Sequence, residues 1–147
     1  MAWFNNEKII LWNKKMPTNK ESFFEAISNY LANEKLIANP QELLIDLKKR
    51  ESVGNTIVYP GLAIPHTQSN SVKETIMLIA SLEKKVNWSE NEAVSKVIFM
   101  LLPVNPQKSD LLELKNLFIQ AADDEFMLKV LTGSRKDIQQ LLDIKGE

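Results

Sequence analysis

The chain lacks the residues on which several common kinds of site depend. It has no cysteine among its 147 residues, so it has neither disulfides nor thiolate chemistry. It has a single histidine, His66, so a zinc site would have to be built almost entirely from carboxylates, which suit zinc poorly. We therefore expect no metal site.

Long apolar runs and concentrated basic charge are also missing. The apolar stretches fall far short of the ~20 residues that span a bilayer, and residues 1–10 show no signal-peptide pattern. The 18 basic and 19 acidic side chains nearly cancel, leaving a formal net charge of -1. Nucleic-acid surfaces need a concentrated positive field. We therefore expect neither membrane insertion nor direct nucleic-acid binding.

Motifs of nucleotide and hydrolase chemistry are absent as well. The four glycines form neither a GxxxxGK[ST] nor a GxGxxG phosphate loop. A Ser-His-Asp hydrolase remains arithmetically possible, but there is no GxSxG elbow and nothing marks one serine as a nucleophile.

Helix signals occupy the first and last thirds of the chain. Thr18-Asn19-Lys20-Glu21 matches a capping box, and Asn39-Pro40 is typical of a second helix start. That second helix is expected to end in the polar residues 48–51. Three further helices are predicted from Leu111 onwards, the second closed by Gly133 and the third capped by Ser134.

The middle of the chain has a strand pattern. Residues 75–82 and 95–104 are near-continuous apolar runs, typical of strands covered on both faces, and residues 8–12 predict an edge strand. Glycines and prolines break residues 52–68, which puts His66 at the end of a short strand or on a loop. Together the elements predict one α/β domain over residues 1–147, a three-layer sandwich with helices on both faces of a mixed sheet.

A lone histidine can serve as a nucleophile, because a neutral imidazole nitrogen can attack phosphorus near neutral pH. Pro65 would stiffen the backbone before His66, and Arg50 could clamp phosphoryl oxygens if residues 52–56 fold back. The alternatives are structural: His66 as a satisfied buried ring, and Arg50 as a cation at a helix C-terminus. The residues alone leave both open.

Four segments resemble the fructose and mannitol type of enzyme IIA domain from the bacterial sugar phosphotransferase system. They are Lys49-Arg50-Glu51 with a small-residue turn to Thr56, then Gly61-Leu62-Ala63-Ile64-Pro65-His66, then Val86-Asn87-Trp88, and finally the spaced leucines of residues 111–117. The resemblance covers nearly the whole chain.

The resemblance implies a cytoplasmic phosphoryl carrier. His66 would accept the phosphoryl group from the histidine phosphocarrier protein and pass it to an enzyme IIB domain. Arg50 would stabilise the transferring group, with Thr56 supporting the loop. The fold implied is a mixed sheet flanked by helices, and no cofactor or metal is needed.

Two positions depart from the family pattern. Thr67 follows the active histidine where glycine is common, and Asp110 takes the place of a second histidine. Both are candidate support residues of the phosphoryl site. An Asp110 carboxylate near the ring would repel the phosphoryl group, while in the alternative Asp110, like Ser109, caps the following helix.

Three functions follow from these features. Phosphoryl transfer to a permease is favoured slightly, because residues 1–20 match the start of a stand-alone domain of this family. The second is a regulatory module of a transcriptional regulator or antiterminator, phosphorylated on His66 as a sensor of sugar flux. The third, a binding module without phosphotransfer, would be favoured by loss of His66 or Arg50, and both are present.

Overall fold

A computed structural model describes residues 7–143 of the chain. The expectations for the start of the chain and for the domain limits at residues 1 and 147 extend outside the described residues. The strands are β1 (Glu7–Lys14), β2 (Ile57–Tyr59), β3 (Leu62–Ala63), β4 (His66–Gln68), β5 (Ile76–Ser89) and β6 (Glu92–Leu102). The helices are α1 (Lys20–Asn33), α2 (Pro40–Val53), α3 (Lys108–Ala121), α4 (Asp124–Thr132) and α5 (Arg135–Leu141).

The strands form one mixed sheet in the order β1-β5-β6-β3-β2, and β4 also pairs with β6. β1 runs parallel to β5, β5 runs antiparallel to β6, and β3 and β4 run parallel to successive parts of β6. β1 lies at the edge, as the sequence predicts. β4 places His66 opposite Met100, in the middle of the apolar part of β6.

Both faces of the sheet are covered, because alternate residues of β5 and β6 enter two separate cores. Leu78 and Phe99 pack with α1 and α2 in one core. Ile79 and Met100 pack with α3, α4 and α5 in the other. Continuous apolar strands are buried on both faces in this way. The predicted three-layer α/β sandwich is confirmed.

Of the N-caps predicted for the first, second and last helices, two agree with the structure. Asn39 caps α2, with Pro40 in the first turn, and Ser134 forms a capping box with Asp137 at α5. The prediction for Thr18 is wrong by one residue. Asn19 is the cap of α1 and its side chain accepts from the backbone N–H of Ser22, while the Thr18 carbonyl accepts from Asn87.

β5 is longer than predicted: after the exposed residues 83–85 it continues to Ser89, paired with β6, and Val86 and Trp88 are buried in the core that α1 covers. Within residues 7–143, no helix combines the length and the apolar character needed to cross a bilayer.

Candidate functional site

The backbone before His66 consists of the β2–β3 hairpin and a two-residue interruption between β3 and β4. Pro60 and Gly61 turn the chain between β2 and β3, and Gly61 has a φ of 88°, the left-handed conformation that the third residue of a type II turn requires. At Ile64-Pro65 the chain then interrupts its parallel pairing with β6, which resumes at His66. The Pro65 carbonyl still accepts from the N–H of Met100 at 3.0 Å, which fixes the backbone just before His66.

The His66 ring is half-buried and has two defined neighbours. Its Nδ1 lies 2.9 Å from the carbonyl oxygen of Ile64. Its ring centroid lies 4.9 Å from that of Phe118 on α3, in an edge-on arrangement. Because a carbonyl can only accept, Nδ1 is the nitrogen that carries the proton in this geometry. The neutral ring therefore has its lone pair on Nε2.

The pKa of His66 lies below its ordinary value of 6.5. Burial is the largest cause, and the positive charge of Arg50 lowers the pKa further. The hydrogen bond with Ile64 and the negative charge of Glu51 act in the opposite direction. The net effect keeps the ring neutral, and so nucleophilic, at neutral pH.

Arg50 lies in the last turn of α2, and the loop after the helix folds back onto it. Its Nη1 donates to the carbonyl oxygen of Gly54 at 3.0 Å. The guanidinium therefore stands at a helix C-terminus, where a cation is favoured, and its field also reaches His66. A guanidinium has several further N–H donors, with which it can bind an anion at the same time.

Thr56 is buried, and both its hydroxyl and its carbonyl are hydrogen-bonded to other groups of the protein. Its hydroxyl donates to Oε2 of Glu51 at 2.5 Å, and its carbonyl accepts from the N–H of Ile64 at 2.9 Å. Oε1 of the same Glu51 carboxylate accepts from Nζ of Lys20 at 2.5 Å. Thr56 thus joins the end of α2 to the segment that holds His66.

Thr67 follows His66 in β4, and successive side chains of a strand point to opposite faces of the sheet. The Thr67 hydroxyl donates to the carbonyl oxygen of Gln68 at 3.3 Å. It is therefore next to His66 in sequence, with its side chain on the other face of the strand.

Asp110 is placed differently from both sequence-based expectations. The N-cap of α3 is Gln107, and Asp110 lies in the first turn, so neither Asp110 nor Ser109 is the cap. Its buried Oδ2 accepts from the Thr75 hydroxyl at 2.6 Å. In the part of the chain that the structure describes, no hydrogen bond links Asp110 to His66. The carboxylate fixes the start of α3 to the start of β5.

Sequence patterns did not assign Glu51, Lys20 or Phe118 to the site. Glu51 belongs to the Lys49-Arg50-Glu51 motif, but nothing local indicates its partners. Phe118 belongs to the apolar stripe of α3, and its contact with His66 follows from packing. Among residues 7–143 there is no group of three or more histidine, cysteine, aspartate or glutamate side chains suited to a metal ion.

A protein-family model matches residues 2–144, and its description is "Phosphoenolpyruvate-dependent sugar phosphotransferase system, EIIA 2". Among curated proteins, the chain is 30% identical over 134 residues to the PTS system 2-O-alpha-mannosyl-D-glycerate-specific EIIABC component of Escherichia coli K12. That match covers 88% of this chain and 20% of the relative. The chain therefore spans about a fifth of the relative's length.

Solved structures share the fold over most of their length. The nitrogen regulatory protein IIA-Ntr of Neisseria meningitidis has a TM-score of 0.73 at 23% identity, with 91% of this chain and 92% of that chain covered. Enzyme IIAMTL, in its complex with phosphorylated enzyme IIBMTL from Escherichia coli, has a TM-score of 0.66 at 16% identity, covering 92% and 94%.

Proposed function

The chain belongs to the EIIA 2 family of the phosphoenolpyruvate-dependent sugar phosphotransferase system, and from this premise we propose that His66 is its phosphoryl-accepting residue. The family makes the chain a phosphoryl carrier component of that system. We assign acceptance to Nε2 of His66. The observation that carries the assignment is the 2.9 Å contact between Nδ1 and the Ile64 carbonyl, which leaves Nε2 as the nucleophilic nitrogen.

The donor is the phosphorylated histidine phosphocarrier protein. The Nε2 lone pair of His66 attacks phosphorus and forms a new N–P bond, while the N–P bond in the donor breaks and its electron pair returns to the donor imidazole. The His66 ring gains positive charge because Nδ1 keeps its proton. The Ile64 carbonyl stabilises that charge as it develops.

Arg50 acts as the phosphoryl clamp in this proposal. A guanidinium offers paired donors that match phosphoryl oxygens, and the loop contact with Gly54 restricts its position. Thr56, Thr67 and Asp110 support the site indirectly. Thr56 does so through Glu51 and Ile64, Thr67 through the β4 backbone, and Asp110 by fixing α3, which carries Phe118.

The acceptor is an enzyme IIB domain of a sugar permease, and residues 1–147 act as one domain in the cytoplasm. The complex that enzyme IIAMTL forms with phosphorylated enzyme IIBMTL in Escherichia coli supports a partner of this class. Transfer to enzyme IIB reverses the first step, because Nδ1 remains protonated and the ring leaves phosphorus as a neutral imidazole.

The test is a phosphorylation assay with phosphoenolpyruvate, enzyme I and the phosphocarrier protein. We expect one acid-labile phosphoryl group per chain, none in His66→Ala, and its loss to an added enzyme IIB. Acid-stable label, or label that survives His66→Ala, would refute the assignment. Label on His66 that no permease IIB removes would favour the regulatory role instead.

A further inference from the structure

Glu51 is the most constrained charged side chain beside the site, and the phosphotransfer chemistry does not use it directly. Its side chain is 7% exposed, and each carboxylate oxygen has its own partner. One oxygen accepts from Lys20 of α1 and the other accepts from Thr56 after α2. The Arg50 guanidinium next to it donates to Gly54 instead.

These contacts continue to the histidine. The Thr56 carbonyl accepts from the N–H of Ile64 at 2.9 Å, and the Ile64 carbonyl holds Nδ1 of His66 at 2.9 Å. A connected series of contacts therefore leads from Lys20 through Glu51, Thr56 and Ile64 to the ring. Its one ion pair fixes α1 to the helix end that bears Arg50.

We propose that Glu51 is a positioning residue for phosphoryl transfer and that Lys20 is its counter-ion. Glu51 holds Thr56, and through it the Ile64 carbonyl that keeps the His66 proton on Nδ1. Lys20 neutralises the carboxylate so that the incoming phosphoryl group is not repelled. This inference rests on the proposed function of His66 and goes beyond it by assigning both residues a role.

The electrostatics of the site support the role of Lys20. The negative charge of Glu51 reaches His66, where it raises the pKa of the ring against the effect of Arg50. A phosphoryl dianion on the same ring would meet that charge as a repulsion. The Lys20 ammonium offsets the charge of Glu51, because its Nζ lies 2.5 Å from Oε1 of that carboxylate. The Trp88 ring, whose centroid lies 4.7 Å from the same Nζ, helps to hold the ammonium there.

The chain also contains a matched control. Lys48 and Glu21 form a second ion pair between α2 and α1, at 3.3 Å, with side chains 51% and 64% exposed. If the ion pairs only held the two helices together, loss of either pair would change the rate of phosphoryl transfer to His66 by a similar amount. A positioning role makes only the Lys20–Glu51 pair affect phosphotransfer.

The first experiment measures the rate at which the phosphorylated phosphocarrier protein labels His66. We expect Lys20→Met to slow labelling about tenfold and Lys20→Arg to restore most of the rate. Adding Glu51→Gln to Lys20→Met should recover part of the loss, because no uncompensated charge remains. Lys48→Met should label at the wild-type rate. Equal rates for Lys20→Met and Lys48→Met, with both variants folded, would overturn the proposal.

The second experiment needs no phosphorylation, so it separates this proposal from the proposed function. The tautomer of His66 is measured by 15N NMR in wild type, Thr56→Val and Thr56→Ser. We expect Thr56→Val to lower the population with the proton on Nδ1, and Thr56→Ser to keep it. An unchanged tautomer in Thr56→Val would overturn the positioning role, whereas an unlabelled wild-type protein would overturn the proposed function alone.

Discussion

Lys96 is a buried lysine whose charged form is disfavoured by burial. Its substitution tests the electrostatics of the core beneath the β2–β3 hairpin. The residue is 5% exposed. Its Nζ donates to the carbonyl oxygens of Val130 at 2.8 Å and Gly133 at 3.1 Å, and lies 5.0 Å from the centroid of the Trp12 ring. None of these partners is a carboxylate, and burial lowers the pKa of Lys96 from 10.5 to about 8.

The pKa difference determines how stability depends on pH. Between pH values of about 8 and 10.5 the unfolded chain keeps the Lys96 proton and the folded chain has lost it. The unfolded state then binds more protons, so the free energy of unfolding rises with pH in this window. This gain in the free energy of unfolding is complete above the pKa that Lys96 has in the unfolded chain. It is lost as the pH falls through the pKa that Lys96 has in the folded chain. Its full size is about 3 kcal/mol.

The assay compares wild type with Lys96→Met, which keeps an unbranched side chain of nearly the same length and removes the charge. Urea unfolding is followed by tryptophan fluorescence at about pH 7, 8, 9 and 10. From the lowest to the highest of these pH values, we expect the free energy of unfolding of wild type to rise by about 2–3 kcal/mol relative to that of Lys96→Met. Lys85→Met, at an exposed lysine, serves as the control and should show no such gain. A constant difference between wild type and Lys96→Met would refute the argument.

Three further predictions concern the site and its supports. Arg50→Ala should slow phosphorylation of His66 on the order of 100-fold in a chain that stays folded, because the guanidinium is the phosphoryl clamp. Arg50→Lys should rescue part of the rate, and a wild-type rate in Arg50→Ala would return Arg50 to a structural role. Thr75→Val should lower the free energy of unfolding by about 1–3 kcal/mol, because it leaves the buried Asp110 carboxylate without its donor. The NMR titration midpoint of His66 should not move, because Asp110 supports the site only through the position of α3; a shift would show that the Asp110 charge acts on the ring directly. Gly61→Ala should cost about 1–2 kcal/mol in urea unfolding, because φ is 88° and the added methyl meets Leu131 at 3.4 Å; a variant as stable as wild type would contradict this.

The sequence predicted the parts of the fold that depend on local patterns. Asn39-Pro40 and Ser134 mark helix starts because capping uses side chains within a few residues of the cap. The apolar runs predicted β5 and β6 because burial on both faces removes the polar alternation of an exposed strand. At α1, two adjacent residues could each cap, and the pairing of Thr18 with Asn87 left the cap to Asn19.

The parts that the sequence did not predict depend on contacts between distant segments. Glu51 meets Lys20 from 31 residues away, which no periodicity or motif spacing indicates. Asp110 was expected at the ring or at the cap, and its partner is Thr75, 35 residues away. The end of β5 was missed because the exposed, charged residues 83–85 interrupt the apolar run, and Val86 and Trp88 become buried only through packing against α1.

The most direct test of the central claim is to locate the phosphoryl group on the protein at the level of single atoms. The 15N-labelled chain is phosphorylated by the phosphocarrier system, and 31P–15N couplings are measured by NMR under alkaline conditions that preserve phosphohistidine. Our account predicts one phosphohistidine, with phosphorus bonded to Nε2 of His66 because the Ile64 carbonyl holds the Nδ1 proton. Phosphorus on Nδ1 of His66, or on any other residue, would contradict it.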